Sequence, residues 1–237
     1  MLFYLYQYSY LMLIPAFIFS LWAQINVQST FKKATRYGTG MTGYEAARRI
    51  LDSNGLTDVA IERIQGELTD HYDPRTNVIR LSSAVYDKAS AAAVGVAAHE
   101  AGHAVQYAVG YSPIRLRSAI IPISSFGSRA AMPIFFIGLI LSSMSYESDA
   151  GYFLMLTGIV FFSLAVLFQL VTLPVEFNAS RRAMAALEGS GRMSSEELGA
   201  SGRVLKAAAL TYVAALATSL LSLLRLILIA SGGRNRR

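Results

Sequence analysis

A chain of 237 residues that is 54% hydrophobic and only 15% charged does not have the composition of an ordinary soluble domain. Its net charge of +6 does not point to nucleic acid, because the Lys and Arg residues stand mostly beside long apolar runs. There is no cysteine, which excludes disulfides, thiolate metal ligands and a cysteine nucleophile, so any catalytic metal must be held by His, Asp or Glu.

The first apolar run covers residues 2–24 without a charge, enough to cross a bilayer core of roughly 30 Å. No Lys or Arg precedes it and no small-x-small site closes it, so residues 1–24 are expected to remain as an anchor rather than leave as a signal peptide. Tyr4, Tyr6, Tyr8 and Tyr10 at its outer end suit an interfacial aromatic belt. Lys32, Lys33 and Arg36 follow closely and place residues 25–118 on the cytoplasmic side.

Within 25–118, Thr42 is the predicted N-cap of a short amphipathic helix, GYEAARRILDSN. Glu45 completes a capping box and Gly55 is the left-handed stop. The stretch DVAIERIQGELTDHYDPRTNVIRLS alternates in short runs broken at Gln65-Gly66 and at Asp73 to Asn77, the pattern of a small antiparallel sheet whose last strand runs from Val78 to Leu81. From Ser83 the pattern turns helical, and the Ala-rich run from about Ala89 to Val109 is predicted as a helix stopped by Gly110.

Residues 119–173 hold two further spans, one ending near Met144 that reaches full length if it starts near Ile120, the other at 152–173. They are joined by an external acidic connection that contains Glu147 and Asp149. Residues 174–207 are basic and return to the cytoplasm as a helix. The last segment, 208–237, is apolar except for Arg225, expected to snorkel, and the tail cations Arg234, Arg236 and Arg237. A fourth crossing is the favoured reading, against a re-entrant segment or one packed along the inner face. Arg129 either faces a polar interior or marks an interfacial start of the second span. These readings give an α+β, predominantly α-helical integral membrane protein with three to four transmembrane helices and a small antiparallel sheet. Regions 25–118 and 174–207 lie on one side of the bilayer.

The chemistry lies in VAAHEAGHAVQ, residues 96–106. On a helix, His99 and His103 stack on one face and can direct ring nitrogens at a single ion, while Glu100, one position round, can reach a ligand water. Zinc held by two imidazoles and a carboxylate, with an open water position, is the usual catalytic arrangement and lowers the water pKa to about 7. Glu100 would take that water's proton and pass it to a leaving amine. The other reading of the stretch is a pair of core histidines with a solvated Glu100.

A third protein ligand must come from elsewhere. Glu147 and Asp149 fall on the wrong side of the membrane, and Glu188, Glu196 and Glu197 sit among Gly and Ser, where a solvated loop or helix start explains them. Glu176 remains, in LPVEFNASRRAMAAL, where Pro174 is expected to open a helix. Glu176 is then either a ligand held near the membrane surface or a first-turn glutamate favoured by the helix dipole.

The HEAGH helix followed, after intervening spans, by a helix beginning with Glu resembles the gluzincin membrane proteases. TGYEAARRIL, LTDHYDPRTNVIRLS, AAVGVAAHEAGHAVQ, LPVEFNASRRA and VLKAAALTYVAA together resemble the YugP-like neutral zinc metallopeptidases of bacteria over nearly the whole chain. The resemblance implies a zincin-like helix pair, Zn2+ as cofactor, His99, His103 and Glu176 as its ligands, Glu100 as catalytic base and a bacterial cell membrane location. Related helices often place an Asp four residues after the ligand Glu to orient a histidine. Here that position is Ser180, so Ser180 or Asn178 is the candidate for the task.

The strand from Val78 to Leu81 either pairs with an extended substrate or is an ordinary edge strand. His71 and Tyr72 either donate to an oxyanion or belong to the sheet. The expected function is a multi-pass membrane zinc metalloendopeptidase whose site opens to the cytoplasm and whose substrates are polypeptides, membrane-associated or misfolded ones among them. An intramembrane protease with the HEAGH helix inside the bilayer fits less well, given that helix's modest hydrophobicity and the polar sheet before it. The non-enzyme alternative is a membrane scaffold or partner-binding protein with a structural metal, to which Glu100 would be of no use.

Overall fold

The computed structural model describes residues 9–144 and 149–234. Tyr4, Tyr6, Tyr8, Glu147, Arg236 and Arg237 lie outside the described residues. The elements in chain order are α1 (Ile14–Ala34), α2 (Gly43–Ser53), β1 (Ala60–Ile64), β2 (His71–Asp73), β3 (Val78–Ser82), α3 (Ala91–Ala108), α4 (Ser112–Met144), α5 (Ala150–Gly189) and α6 (Ser195–Arg234). This is the expected α+β, mostly helical class. The helices at Tyr10–Ala34, Ser112–Met144, Ala150–Gly189 and Ser195–Gly232 are long and apolar enough to cross a membrane. The chain divides into two compact units, Met1–Trp22 with Leu116–Thr172 and Tyr212–Arg237, and Ala23–Arg115 with Leu173–Thr211.

The second unit is built around α3. Its neighbour α2 starts where expected: the Thr42 hydroxyl accepts from the Glu45 amide at 3.2 Å and the Glu45 carboxylate accepts from the Thr42 amide at 2.8 Å. The helix ends before Gly55 at φ +73°. Ala46, Ala47, Ile50 and Leu51 on its apolar face pack with Ile79, Leu81, Val94, Ala97 and Ala101 in one core.

The sheet is mixed rather than antiparallel, in the order β1-β3-β2. β2 and β3 form the antiparallel hairpin, with Tyr72 opposite Ile79, turned by Pro74 to Asn77. Asp73 accepts from the Arg75 amide and the Thr76 hydroxyl, and Asn77 takes φ +56°. β1 instead runs parallel to β3, Ala60 opposite Val78 to Ile64 opposite Ser82, because residues 65–70 carry the chain past β3 to its far side. Alternation specifies which residues face inward, not which strand lies next to which. β3 is therefore the central strand, and the edge-strand reading of Val78 to Leu81 is overturned.

Two further expectations change along α5 and α6. Pro174 does not open a helix but lies inside α5, where Val175 and Ala179 on the following turn are fully buried. Packing outweighs the hydrogen bond that the missing N–H removes. Region 174–207 holds the end of α5 and the start of α6. They are separated at Gly191, φ +62°, and α6 is capped reciprocally by Ser194 and Glu197.

In the first unit α4 and α5 approach closely at small residues. A Cβ on Gly138 would lie 2.6 Å from the Gly151 carbonyl oxygen, and one on Gly158 2.8 Å from that of Ala131. Phe135, Met155, Leu226 and Ile229 fill the core of this unit. Arg225 does not snorkel: it is buried, its Nε donates to the Ser9 hydroxyl at 3.0 Å, and its guanidinium carbon sits 3.7 Å above the Tyr10 ring centre. A polar and an aromatic partner within the unit remove the reason for the cation to reach outward. Arg129 is exposed on α4, not turned to a polar interior.

Candidate metal centre

α3 is buried on nearly every side, and its composition is what permits this. Ala91, Ala92, Ala93, Ala97, Ala98, Ala101 and Ala104 are all buried, so other helices pack against its backbone. A Cβ on Gly102 would stand 2.7 Å from the Ala179 carbonyl oxygen of α5, and one on Gly95 3.2 Å from the Ser201 Cβ of α6. Gly102 lies between the two histidines, and Ala179 is three residues past Glu176. The contact that only glycine allows is thus the one that carries Glu176 to His99 and His103.

His99, His103 and Glu176 each offer a ligand atom within 4.8 Å of the others. Glu176 Oε2 lies 3.2 Å from His99 Nε2 and 3.6 Å from His103 Nε2, and the two rings stand 4.7 Å apart at 84°. The Glu176 carboxyl is 2% exposed, so its charge requires a buried positive counterpart. Burial opposes a charge on His103, but the hydrogen bond to Glu176 and the negative charges of Glu100 and Glu176 outweigh it and raise the His103 pKa above 6.5. A divalent cation among the three groups would supply the same positive charge, and two imidazoles with one carboxylate are a zinc donor set. The residues present fit that ion.

The outer nitrogens of both rings are also held. The Val175 carbonyl can only accept, so the Gln106 atom 2.8 Å from it is the amide nitrogen, which also donates to Asn178 Oδ1 at 2.9 Å. Gln106 Oε1 therefore faces His103 Nδ1 at 2.9 Å, and Nδ1 must carry the proton. That leaves Nε2 for the Glu176 side. Arg182 Nε donates to the same Asn178 oxygen at 2.8 Å and fixes its orientation. On the other ring, Ser180 Oγ is 3.1 Å from His99 Nδ1. A hydroxyl can donate or accept, so it constrains the tautomer less than Gln106 does.

Glu100 is buried one position round the helix, and its Oε2 accepts from the Tyr72 amide of β2 at 3.0 Å. Tyr72 stands against Tyr107 with ring centres 5.7 Å apart, and its hydroxyl donates to Asn77 at 2.8 Å. His71 is exposed, with Nδ1 2.9 Å from the Thr69 carbonyl. The Tyr72 side chain thus links α3 to the β2–β3 turn, the His71 side chain bonds the chain just before β2, and the Tyr72 amide reaches Glu100. Asp70 anchors the start of β2 by accepting from the Ser82 amide at 2.6 Å and hydroxyl at 3.1 Å. Burial holds its pKa above the ordinary carboxylate value against those bonds. Sequence reading missed Gln106; the available signal was an amide three positions after His103 on an otherwise apolar helix.

Comparison with known proteins adds a second line. The family described as "Putative neutral zinc metallopeptidase" matches residues 9–231. The chain is similar to "Putative membrane protease YugP" of Bacillus subtilis (strain 168), 46% identical over 224 residues, covering 94% of this chain and 96% of that protein. No solved structure matches.

Proposed function

The chain belongs to the neutral zinc metallopeptidase family, and from that premise we propose a membrane zinc metalloendopeptidase in which His99, His103 and Glu176 hold the metal and Glu100 is the general base. The observation that carries the reading is the meeting of Glu176 with both HEAGH imidazoles across 77 residues of chain, with Glu100 alongside. Zinc, when bound, supplies a Lewis acid that brings the pKa of water to about 7. Glu100 takes the proton of the attacking water and returns it to the departing amine. The Tyr72 amide occupies Oε2, which directs the other oxygen, Oε1, to the proton. Ser180 and Gln106 hold the imidazoles in position from behind.

β2 packs against α3 and is an edge strand, so its outer side offers main-chain groups to an extended polypeptide, a role that β3 cannot fill. The relative's description and four long apolar helices make this a membrane protein. A multi-pass arrangement with the site at the cytoplasmic face, acting on membrane-associated or misfolded polypeptides, is part of the proposal. It is supported by the cations Lys32, Lys33 and Arg36 after α1 and Arg181 and Arg182 on α5. The test is hydrolysis of a casein-like substrate by the full chain in detergent. Chelator should abolish cleavage, and Glu100→Gln should slow it by about 10²–10⁴-fold with zinc retained. Unchanged cleavage under either condition would remove the mechanism.

A further inference from the structure

A groove of ≈ 1020 Å³ opens in the second unit where the end of α1 meets the loop after β1 and the segment before α3. Its lining includes Phe31 and Lys32 of α1, Arg63, Glu67 and Leu68 of the sheet region, and Lys88. Arg63 is paired with Asp87 at 2.8 Å, whereas Lys32 and Lys88 are bonded through their main chains and their ammonium groups have no ion-pair or hydrogen-bond partner among the described residues. Two unpaired ammonium groups on one concavity, with a single carboxylate opposing them, make an anion site.

Two observations favour a lipid over a soluble anion. Lys32 stands in the last turn of α1, a helix of membrane-crossing length, so the groove is placed at headgroup depth. Leu68, 43% exposed, is held on the groove wall at φ +55°, a conformation that bulky side chains avoid. An exposed apolar side chain kept there against strain suits a bilayer interface and serves no purpose for a hydrated phosphate.

We propose that this groove binds the headgroup of an anionic phospholipid, with Lys32 and Lys88 on the phosphate and Phe31 and Leu68 against the glycerol and upper acyl region. The site is separate from the metal centre, and its test does not depend on peptidase activity. The full chain in neutral detergent is unfolded thermally with dioleoylphosphatidylglycerol, dioleoylphosphatidylcholine or inorganic phosphate added. The variants are Lys32→Ala/Lys88→Ala and, as a charge-matched control, Lys33→Ala/Arg36→Ala, whose exposed cations are not among the groove-lining residues.

Phosphatidylglycerol should raise the midpoint of the natural protein and of the control by about 2–4 °C. It should leave the Lys32/Lys88 variant unmoved, and phosphatidylcholine should move none of them. An equal shift in the groove variant, or its loss in both variants, would overturn the site. A phosphate-induced shift that matches the lipid's and vanishes in the groove variant would overturn the lipid assignment in favour of a soluble anion.

Discussion

In the unit that holds the histidines, buried polar groups are linked to one another: Arg182 and Gln106 converge on Asn178, Gln106 holds His103, and His103 and His99 flank Glu176. In the other unit the buried charge Arg225 is met by the Ser9 hydroxyl and the Tyr10 ring. Both units bring helices together through glycine. At Gly102 the close approach delivers a carboxylate to two imidazoles, whereas at Gly158 it packs α4 on α5. The same packing device therefore has a chemical consequence in one unit and a purely mechanical one in the other.

The sharpest way to break that contrast is to add one methyl group to each. Gly102→Ala must displace the Ala179 carbonyl, and overpacking of this kind costs about 1–3 kcal/mol, equivalent to roughly 5–150-fold in zinc affinity if it separates the ligands. Gly158→Ala should lower folding stability by a similar free energy and leave zinc affinity, measured by competition with a chromophoric chelator, unchanged. Equal losses of zinc affinity in both would erase the distinction.

Gln106→Ala removes the group that fixes the His103 tautomer and should weaken zinc binding by about 10–100-fold, with Ser180→Ala nearer the lower figure. A larger loss at Ser180 would reverse the ranking of the two supports. Protons compete for the same nitrogens. Because the His103 pKa is raised above 6.5, protonation competes with the metal from a pH higher than that of a free imidazole, so zinc affinity should fall as the pH is lowered through that range, by up to about tenfold per pH unit per proton displaced. Equilibrium dialysis between pH 8 and 5 measures it, and a flat profile would contradict the reading. The smallest effect is at Thr42, where Thr42→Ala loses one side of the capping box and should cost about 1 kcal/mol of stability without changing zinc affinity.

Local signals were legible in the sequence. The α2 cap, the Gly55 and Gly110 stops and the HEAGH helix all lie within a few residues of the groups that cause them, and Glu176 remained as candidate once topology set aside Glu147 and Asp149 and a Gly and Ser context set aside Glu188, Glu196 and Glu197. Ser180, in place of the usual Asp, was already a candidate partner for a histidine. What was not legible depends on distant partners. Gln106 acquires its role from Val175 and Asn178, about 70 positions downstream. The parallel placement of β1 follows from a crossover that alternation does not encode. Pro174 remains helical because of what packs around it, and Arg225 is kept inside by Ser9 and Tyr10, 216 and 215 positions upstream.

The most direct measurement is metal content of the purified full chain by elemental analysis, alongside Glu100→Gln and Glu176→Ala. The account predicts stoichiometric zinc in the natural protein and in Glu100→Gln, and its loss in Glu176→Ala. Natural protein without stoichiometric zinc, or full retention after removal of the Glu176 carboxylate, would contradict it.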